Sequence, residues 1–417
     1  MLKTILAGTA LAASAFALGS CNQAGDSPPT TEVREAKTFP LTPAVIAMRW
    51  QLLNPDVNSF IFREIDKIFE TRIVPHAGSV WDLPKGNAMA MPADTFGGGN
   101  YDYNQFAERT FTNAMLVIRD GKIVFEDYRN RMEEDTPHIA FSMSKTITSL
   151  LVGIAVDQGK VASLDDPATK YVPELKGTGY DGVTIRQILQ MRSGVDYQER
   201  YDFGANPSFA GKLHEQAIVL NKMRFADGAL ETKRANQPGS TFNYSTLDTM
   251  VLGWILEKAT GQPLESFTQS NLWGPLGAEA DGFWMADGAP GTGRALNGMG
   301  FNARLRDFGR LGQLMLNNGM RGDTQVIPEG WMKEATAMLP TGAPAGQGFP
   351  GYGYQIWQID DEPGAYAAVG LAGQFIYVSP ATKTVIVKLS YYPPVPPANV
   401  DGEVIAYFKA IAHTSVK

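Results

Sequence analysis

The stretch HIAFSMSKTITSLLVGIAV, residues 138–156, places two serines and a lysine at the head of an apolar run. Ile147, Leu150, Leu151 and Ile154 recur at helical spacing and Gly159 marks an end, so a helix starts near Ser142. Ser142 then has two readings. As an N-cap it would accept a hydrogen bond from the first turn, with Ser144 on the surface and Lys145 a solvated charge. As a nucleophile it would use the i, i+3 spacing, which brings two side chains on one helical face to about 5–6 Å at Cβ. Lysine accepts a proton only when neutral, and burial at the positive end of a helix disfavours its charge. The Ser142 backbone N–H at that terminus can also face a developing oxyanion.

Outward from this stretch, AMLVIRDGKIVFEDY (114–128) carries apolar runs on both sides of Asp120-Gly121, the signature of a β-hairpin. Four more short strands are expected at YGYQIWQI (352–359), AYAAVG (365–370), QFIYVS (374–379) and TVIVKLSYY (384–392). FIFREIDKIFETRIV (60–74) reads as one amphipathic helix through Phe60, Ile65, Ile68 and Phe69. Helical patterns fill the middle at TIRQILQM, TLDTMVLGWILEKATG and LRDFGRLGQLMLNNG, with Gly261 and Gly319 as C-caps. Strands at both ends with helices between them predict an α+β fold: one antiparallel sheet completed by the two termini, flanked by helices, with an inserted helical lobe at about 165–300.

The N-terminus, MLKTILAGTALAASAFALGSC, has a positive start at Lys3, an apolar stretch and small residues before Cys21, the pattern of an export signal over residues 1–20. Leu18-Gly19-Ser20-Cys21 resembles the lipoprotein cleavage box, which implies lipidation of Cys21, the chain's one cysteine. With Asn22 next, the resemblance implies an exported, periplasm-facing lipoprotein of a Gram-negative outer membrane, attached by its lipid alone. Residues 21–43 are polar and proline-containing and read as a flexible tether, leaving 44–417 as the globular domain. The net charge of −7 and the lack of a basic run argue against nucleic-acid partners and favour a small-molecule substrate. His76, His138, His214 and His413 show no metal-ligand spacing, so no metal and no cofactor is expected. No serine stands in Gly-x-Ser-x-Gly, and phosphate-loop and dinucleotide patterns lack their strand-to-helix context.

Ser142-x-x-Lys145 matches the nucleophile motif of class A β-lactamases and penicillin-binding proteins. Together with PGSTFNYST (238–246), LDDPATKYVPEL (164–175), VTIRQILQMRSGVDY (183–197) and MGFNARLRDFGRLGQLMLNNG (299–319), it resembles the serine hydrolases related to class C β-lactamases. That superfamily includes family VIII esterases, D,D-peptidases and nylon-oligomer hydrolases. FREIDKIFETRIVP (62–75) and NLWGPLGAEADGFW (271–284) look most like the 6-aminohexanoate-oligomer hydrolase branch. The resemblance implies a β-lactamase/penicillin-binding-protein-like fold, with Ser142 as the acylated nucleophile, Lys145 as its proton acceptor and Tyr244 as the relay to the leaving group. It places the third family element at Leu371-Ala372-Gly373, with the Gln374 N–H completing an oxyanion hole with that of Ser142.

Two departures narrow the function. Leu371 stands where the family has a cationic or imidazole residue, and Thr246 replaces the asparagine of Tyr-x-Asn, so groups that recognise β-lactams are missing. A small ester or linear amide suits such a site better. Substrate contacts are expected from Thr246 and Gly373, from Tyr197 or Tyr201 in the loop SGVDYQERYDFG (193–204), and from Asn297. The competing readings are a catalytically idle lipoprotein that binds a ligand or partner protein in the same cleft, and a D,D-peptidase or weak β-lactamase. Oligomeric state is not legible.

Overall fold

The structure, a computed structural model, describes residues 41–344 and 348–415. The expected signal peptide, Cys21 and the tether as far as residue 40 lie outside these residues. The first helix, Pro43–Arg49, begins beside the expected boundary at Ala44, with the Thr42 hydroxyl accepting from the Val45 N–H.

The Asp120-Gly121 hairpin is present. Strands β1 (Thr112–Arg119) and β2 (Lys122–Tyr128) pair antiparallel, and Asp120 and Gly121 have φ of 49° and 74°, the two positive angles whose twist matches paired strands. Helix α1 is Met143–Asp157, α2 Thr246–Thr260 and α3 Leu305–Leu316. Strands β3 (Tyr366–Gly370), β4 (Gln374–Ser379) and β5 (Thr384–Ser390) follow, then helix α4 (Val400–His413). Among the described residues the main sheet is antiparallel and eight-stranded, in the order β2-β1-β5-β4-β3, then Trp357–Gln358, Gly351–Tyr352 and Leu339–Pro340. Val385 lies opposite Ile118 and Val387 opposite Leu116, so the last strand closes on the hairpin.

Side chains alternate between two buried faces. Leu116, Ile118, Ile376, Val385 and Val387 join the core containing α1 and α3, whereas Met115, Val117, Phe375, Tyr377 and Ile386 pack on α4 through Val404, Tyr407, Phe408 and Ile411. Helix α3 lies close to the sheet because it turns Gly309 and Gly312 toward it. A Cβ at Gly312 would stand 2.5 Å from Val385 Cγ1 and one at Gly309 2.5 Å from Leu116 Cδ2. Helix α1 is buried on nearly every side, between the sheet and the helical lobe.

Several expectations change. The segment 60–74 is not one helix. It forms single turns at Asn58–Ile61 and Ile65–Ile68 and then a strand, Thr71–Val74. Phe60 is 59% exposed, so its place in the apolar period is coincidental, while Thr71–Val74 pairs with Gly282–Met285 from the distant lobe. That pairing belongs to a second, four-stranded sheet completed by Phe301–Ala303 and His138–Ile139. The lobe at 165–300 is therefore helical with one strand in it. YGYQIWQI folds back on itself into two short strands at Gln355, whose φ is 60°. Gly261 caps α2 at φ 72°, but α3 ends in a Schellman arrangement whose left-handed residue is Asn318, with the Gly319 N–H donating to Leu314 O at 2.8 Å.

Gly312→Ala should destabilise the protein by about 1–3 kcal/mol through overpacking against Val385 and Ile376, read as a lowered midpoint in urea unfolding at unchanged slope.

Candidate active site

Ser142 sits at the turn from the strand His138–Ile139 into α1, and it does not cap the helix: its φ, ψ are −69°, −5° and its side chain accepts no backbone N–H of the first turn. The residue before it, Phe141, has φ 43°, unusual for a bulky side chain. Its ring is held edge-on against Phe62 at 4.9 Å, while the flanking backbone is tied by Ile139 N–H to Phe62 O and Ala140 N–H to Phe301 O. The surface reading of the neighbours also fails. Ser144 is fully buried and its hydroxyl accepts from the Phe301 N–H at 2.9 Å.

Lys145 is 1% exposed. Its Nζ lies 3.0 Å from Ser142 Oγ, 3.0 Å from Thr246 Oγ1 and 2.6 Å from Gly298 O. Burial pushes this amine down to about 8, with the Glu199 carboxylate pulling the other way. The Tyr244 ring stands 5.0 Å from Nζ, and Ser142 is near enough to its hydroxyl to favour the phenolate. Burial pushes the pKa of that phenol well up, so Tyr244 carries its proton at neutral pH. Trp357, at 5.4 Å between ring centroids, and Tyr352, at 6.2 Å, back the tyrosine.

The Leu371-Ala372-Gly373 turn joins β3 to β4 beside the nucleophile. Gly370 passes so close that a Cβ there would lie 2.2 Å from Ala140 O. Ala372 and Gly373 both have positive φ, 60° and 83°. The Gln374 side chain ties the turn down: Nε2 donates to Leu371 O, Ala372 O and Ser390 O, and Oε1 accepts from the Ser390 N–H. Leu371 is 36% exposed at this turn.

Three expected substrate contacts have other placements. Tyr197 is wholly buried, edge-on to Phe209 at 6.3 Å, and is a core residue of the lobe. Asn297 is 2% exposed and clamps α2 to α1, donating to Thr249 O at 2.5 Å while its carbonyl accepts from Thr148 Oγ1 at 3.0 Å. Thr246 is buried, with its hydroxyl shared between Lys145 and Glu199. Tyr201 remains at the surface, 38% exposed, its ring edge-on to His214 at 5.1 Å. Burial of its hydroxyl, and then the charges of Glu199 and Tyr244, push the pKa of its phenol up.

Sequence reasoning misses Glu199 and the Gly298 carbonyl. Glu199 lies between the two tyrosines of the loop, and its Oε2 accepts from the Thr246 N–H at 2.7 Å and its Oε1 from Thr246 Oγ1 at 3.0 Å. No local pattern announces a carboxylate whose partner is 47 residues away. Among the described residues, no group of three His, Cys, Asp or Glu is placed to hold a metal ion.

A motif helix enclosed between an antiparallel sheet and a helical lobe is the architecture of the β-lactamase/penicillin-binding-protein fold. The chain belongs to the beta-lactamase family, matched over residues 105–408, and is a serine hydrolase of that superfamily. It is 32% identical to the 6-aminohexanoate-dimer hydrolase of Paenarthrobacter ureafaciens over 303 residues, covering 70% of this chain and 76% of that protein. Esterase EstB of Burkholderia gladioli is 31% identical over 198 residues, 43% of this chain and 49% of the esterase. A solved Bacillus anthracis structure, provisionally called a 6-aminohexanoate-dimer hydrolase, superposes with a TM-score of 0.75 at 23% identity, covering 93% of this chain and 98% of that one.

A step in which Lys145 accepts a proton needs its neutral form. Activity, measured as kcat/KM against pH, should therefore rise through about 8 and level off above it; a profile flat across that range would show that Lys145 is not the proton acceptor.

Proposed function

We propose that this protein hydrolyses a small ester or linear amide through an acyl-enzyme on Ser142. The observation that carries the reading is the buried Lys145 amine, held 3.0 Å from Ser142 Oγ and lowered by burial toward neutrality. Ser142 Oγ attacks the substrate carbonyl carbon and its proton passes to Lys145 Nζ. The Ser142 and Gln374 N–H groups receive the oxyanion. Tyr244, protonated at rest and close to Ser142 and Lys145, hands a proton to the departing alkoxide or amine and is resupplied from Lys145. Water then attacks the acyl carbon, gives its proton to the same pair, and Ser142 Oγ leaves with a proton restored.

The substrate class rests on what surrounds this chemistry. The relatives' names include a 6-aminohexanoate-dimer hydrolase and an esterase. Leu371 offers no positive charge to a carboxylate at the sheet turn, which disfavours β-lactams and peptide C-termini. Gly373 is packed against the Tyr392 ring, where a Cβ would fall 2.3 Å from Cζ, and Thr246 serves the base instead of the ligand, which leaves Tyr201, 38% exposed, as the aromatic side chain for substrate.

Ser142→Ala should abolish labelling by a fluorophosphonate and cut release from p-nitrophenyl acetate or butyrate by at least about a thousandfold, with intact-mass spectrometry locating the wild-type adduct on Ser142. Retained turnover would remove Ser142 from the mechanism; a folded wild type with neither adduct nor release would favour the idle binding lipoprotein.

The lipobox-like Leu18-Gly19-Ser20-Cys21 supports a periplasm-facing enzyme anchored in an outer membrane through acyl chains on Cys21. Cys21→Ser should then abolish metabolic labelling by palmitate and move the protein from the membrane fraction to the soluble one.

A further inference from the structure

A neutral amine offers two N–H donors and one lone pair, and Lys145 has three partners to share among them. The Gly298 carbonyl can only accept, so it takes one N–H. The Thr246 hydroxyl can donate or accept, and its choice decides what the lone pair faces. If Thr246 donated to Lys145, the lone pair would be consumed and the amine could not take the Ser142 proton.

Glu199 settles that choice. Its carboxylate reaches the same residue twice, accepting from the Thr246 N–H at 2.7 Å and from Thr246 Oγ1 at 3.0 Å. A carboxylate ion has no hydrogen to give. The Thr246 hydroxyl hydrogen is thereby committed to Glu199, and its oxygen turns to Lys145 as an acceptor. The second N–H of Lys145 goes there, and the lone pair is left for the hydroxyl of Ser142.

We propose that Glu199 is a positioning residue that aims the Lys145 lone pair at Ser142 by fixing the direction of the hydrogen-bond chain Ser142–Lys145–Thr246–Glu199. The inference rests on the reading of Lys145 as the base. The groups facing the amine are Ser142 from its own helix turn, Tyr244 and Thr246 from the start of α2, the Gly298 carbonyl, and Glu199 from the 193–204 loop. His214 stands further back, edge-on to Tyr201, and burial, with a smaller contribution from Lys145, disfavours its protonation against the pull of Glu199. Glu199 is the carboxylate in this set. It therefore also holds the amine's ionisation up against burial, and its loss acts on two separable quantities.

The test is a double-mutant cycle between Glu199→Gln and Thr246→Val, with Thr246→Ser as the conservative control, read as pH profiles of acylation by p-nitrophenyl butyrate. Glutamine keeps an acceptor for the Thr246 N–H but presents an N–H₂ to the hydroxyl, which turns the hydroxyl hydrogen toward Lys145. E199Q should lower the alkaline plateau by about tenfold or more and move the acid limb to lower pH. T246S should retain the wild-type profile, and the E199Q/T246V pair should be no slower than T246V alone, because without the hydroxyl there is no direction left to fix. An E199Q profile with unchanged plateau and limb, or losses that multiply in the double variant, overturns the proposal. Ser142→Ala in parallel separates the layers: if S142A still turns over, the acyl-enzyme reading falls and this inference with it, whereas an inactive S142A beside an unaltered E199Q overturns the Glu199 role alone.

Discussion

The burial of one amine organises the structure around Ser142. An ammonium removed from water is costly unless it is met by acceptors, and it shifts toward its neutral form instead. Lys145 meets three polar partners drawn from three parts of the chain: the turn into α1, the first residue of α2, and the loop leading to the strand Phe301–Ala303. A displacement of any one would strand a buried polar atom. The relative placement of the helices is therefore a condition of the chemistry. Asn297 enforces it by bonding to Thr249 on α2 and Thr148 on α1, one residue before the carbonyl that receives Lys145. Gly253 lets α2 approach this clamp, since a Cβ there would fall 2.4 Å from Asn297 Oδ1.

Backbone strain lies on both sides of the serine. Phe141 and Ala372 occupy left-handed conformations that their side chains disfavour, one just before Ser142 and the other in the facing turn. Each is held by surroundings that leave little alternative. Phe141 is wedged against Phe62 and sits between residues hydrogen-bonded to the small sheet, and Ala372 is tied by its carbonyl to Gln374. The small sheet thus has a function that its size does not suggest. It delivers the chain into α1 at the angle that brings Ser142 over Lys145 and beneath the Leu371–Gly373 turn.

What the sequence reveals follows from the range of the interactions involved. The Asp120-Gly121 hairpin and the α2 cap at Gly261 are local, decided by residues that tolerate positive φ, and both stand as expected. Ser142 and Lys145 are legible because a single helical turn fixes their distance. The strand Thr71–Val74 is not, because its partner is more than two hundred residues away and its apolar residues also fit a helical period. Helix α4 carries a usable period in Val400, Val404, Tyr407, Phe408 and Ile411, all buried, beyond the prolines of 393–397 that part it from the last strand. Asn297 and Tyr197 show the converse limit: a polar or aromatic residue near a motif has the same letter whether it lines a cleft or locks a core. Glu199 has no local signature at all, for its value depends on a backbone N–H and a hydroxyl brought to it only by the folded lobe.

A second buried lysine shows how far position, and not chemistry, assigns the role. Lys388 on β5 is fully buried and, like Lys145, has its ionisation lowered chiefly by burial. Its Nζ donates to Thr110 O and to the Ser390 hydroxyl and lies 5.2 Å from the Tyr392 ring, with Asp401 and Glu403 near enough to favour its charge. It shares the sheet face of Ile386, the one packed on α4, opposite to the face that carries α1. There it meets no hydroxyl presented to substrate. What it holds is Ser390, whose N–H and carbonyl both bond to the Gln374 side chain that anchors the Leu371–Gly373 turn. One buried amine lies within reach of the serine and the other, across the sheet, braces the strand against which that serine is placed; a lysine becomes a candidate base here because an opening and a hydroxyl accompany its burial.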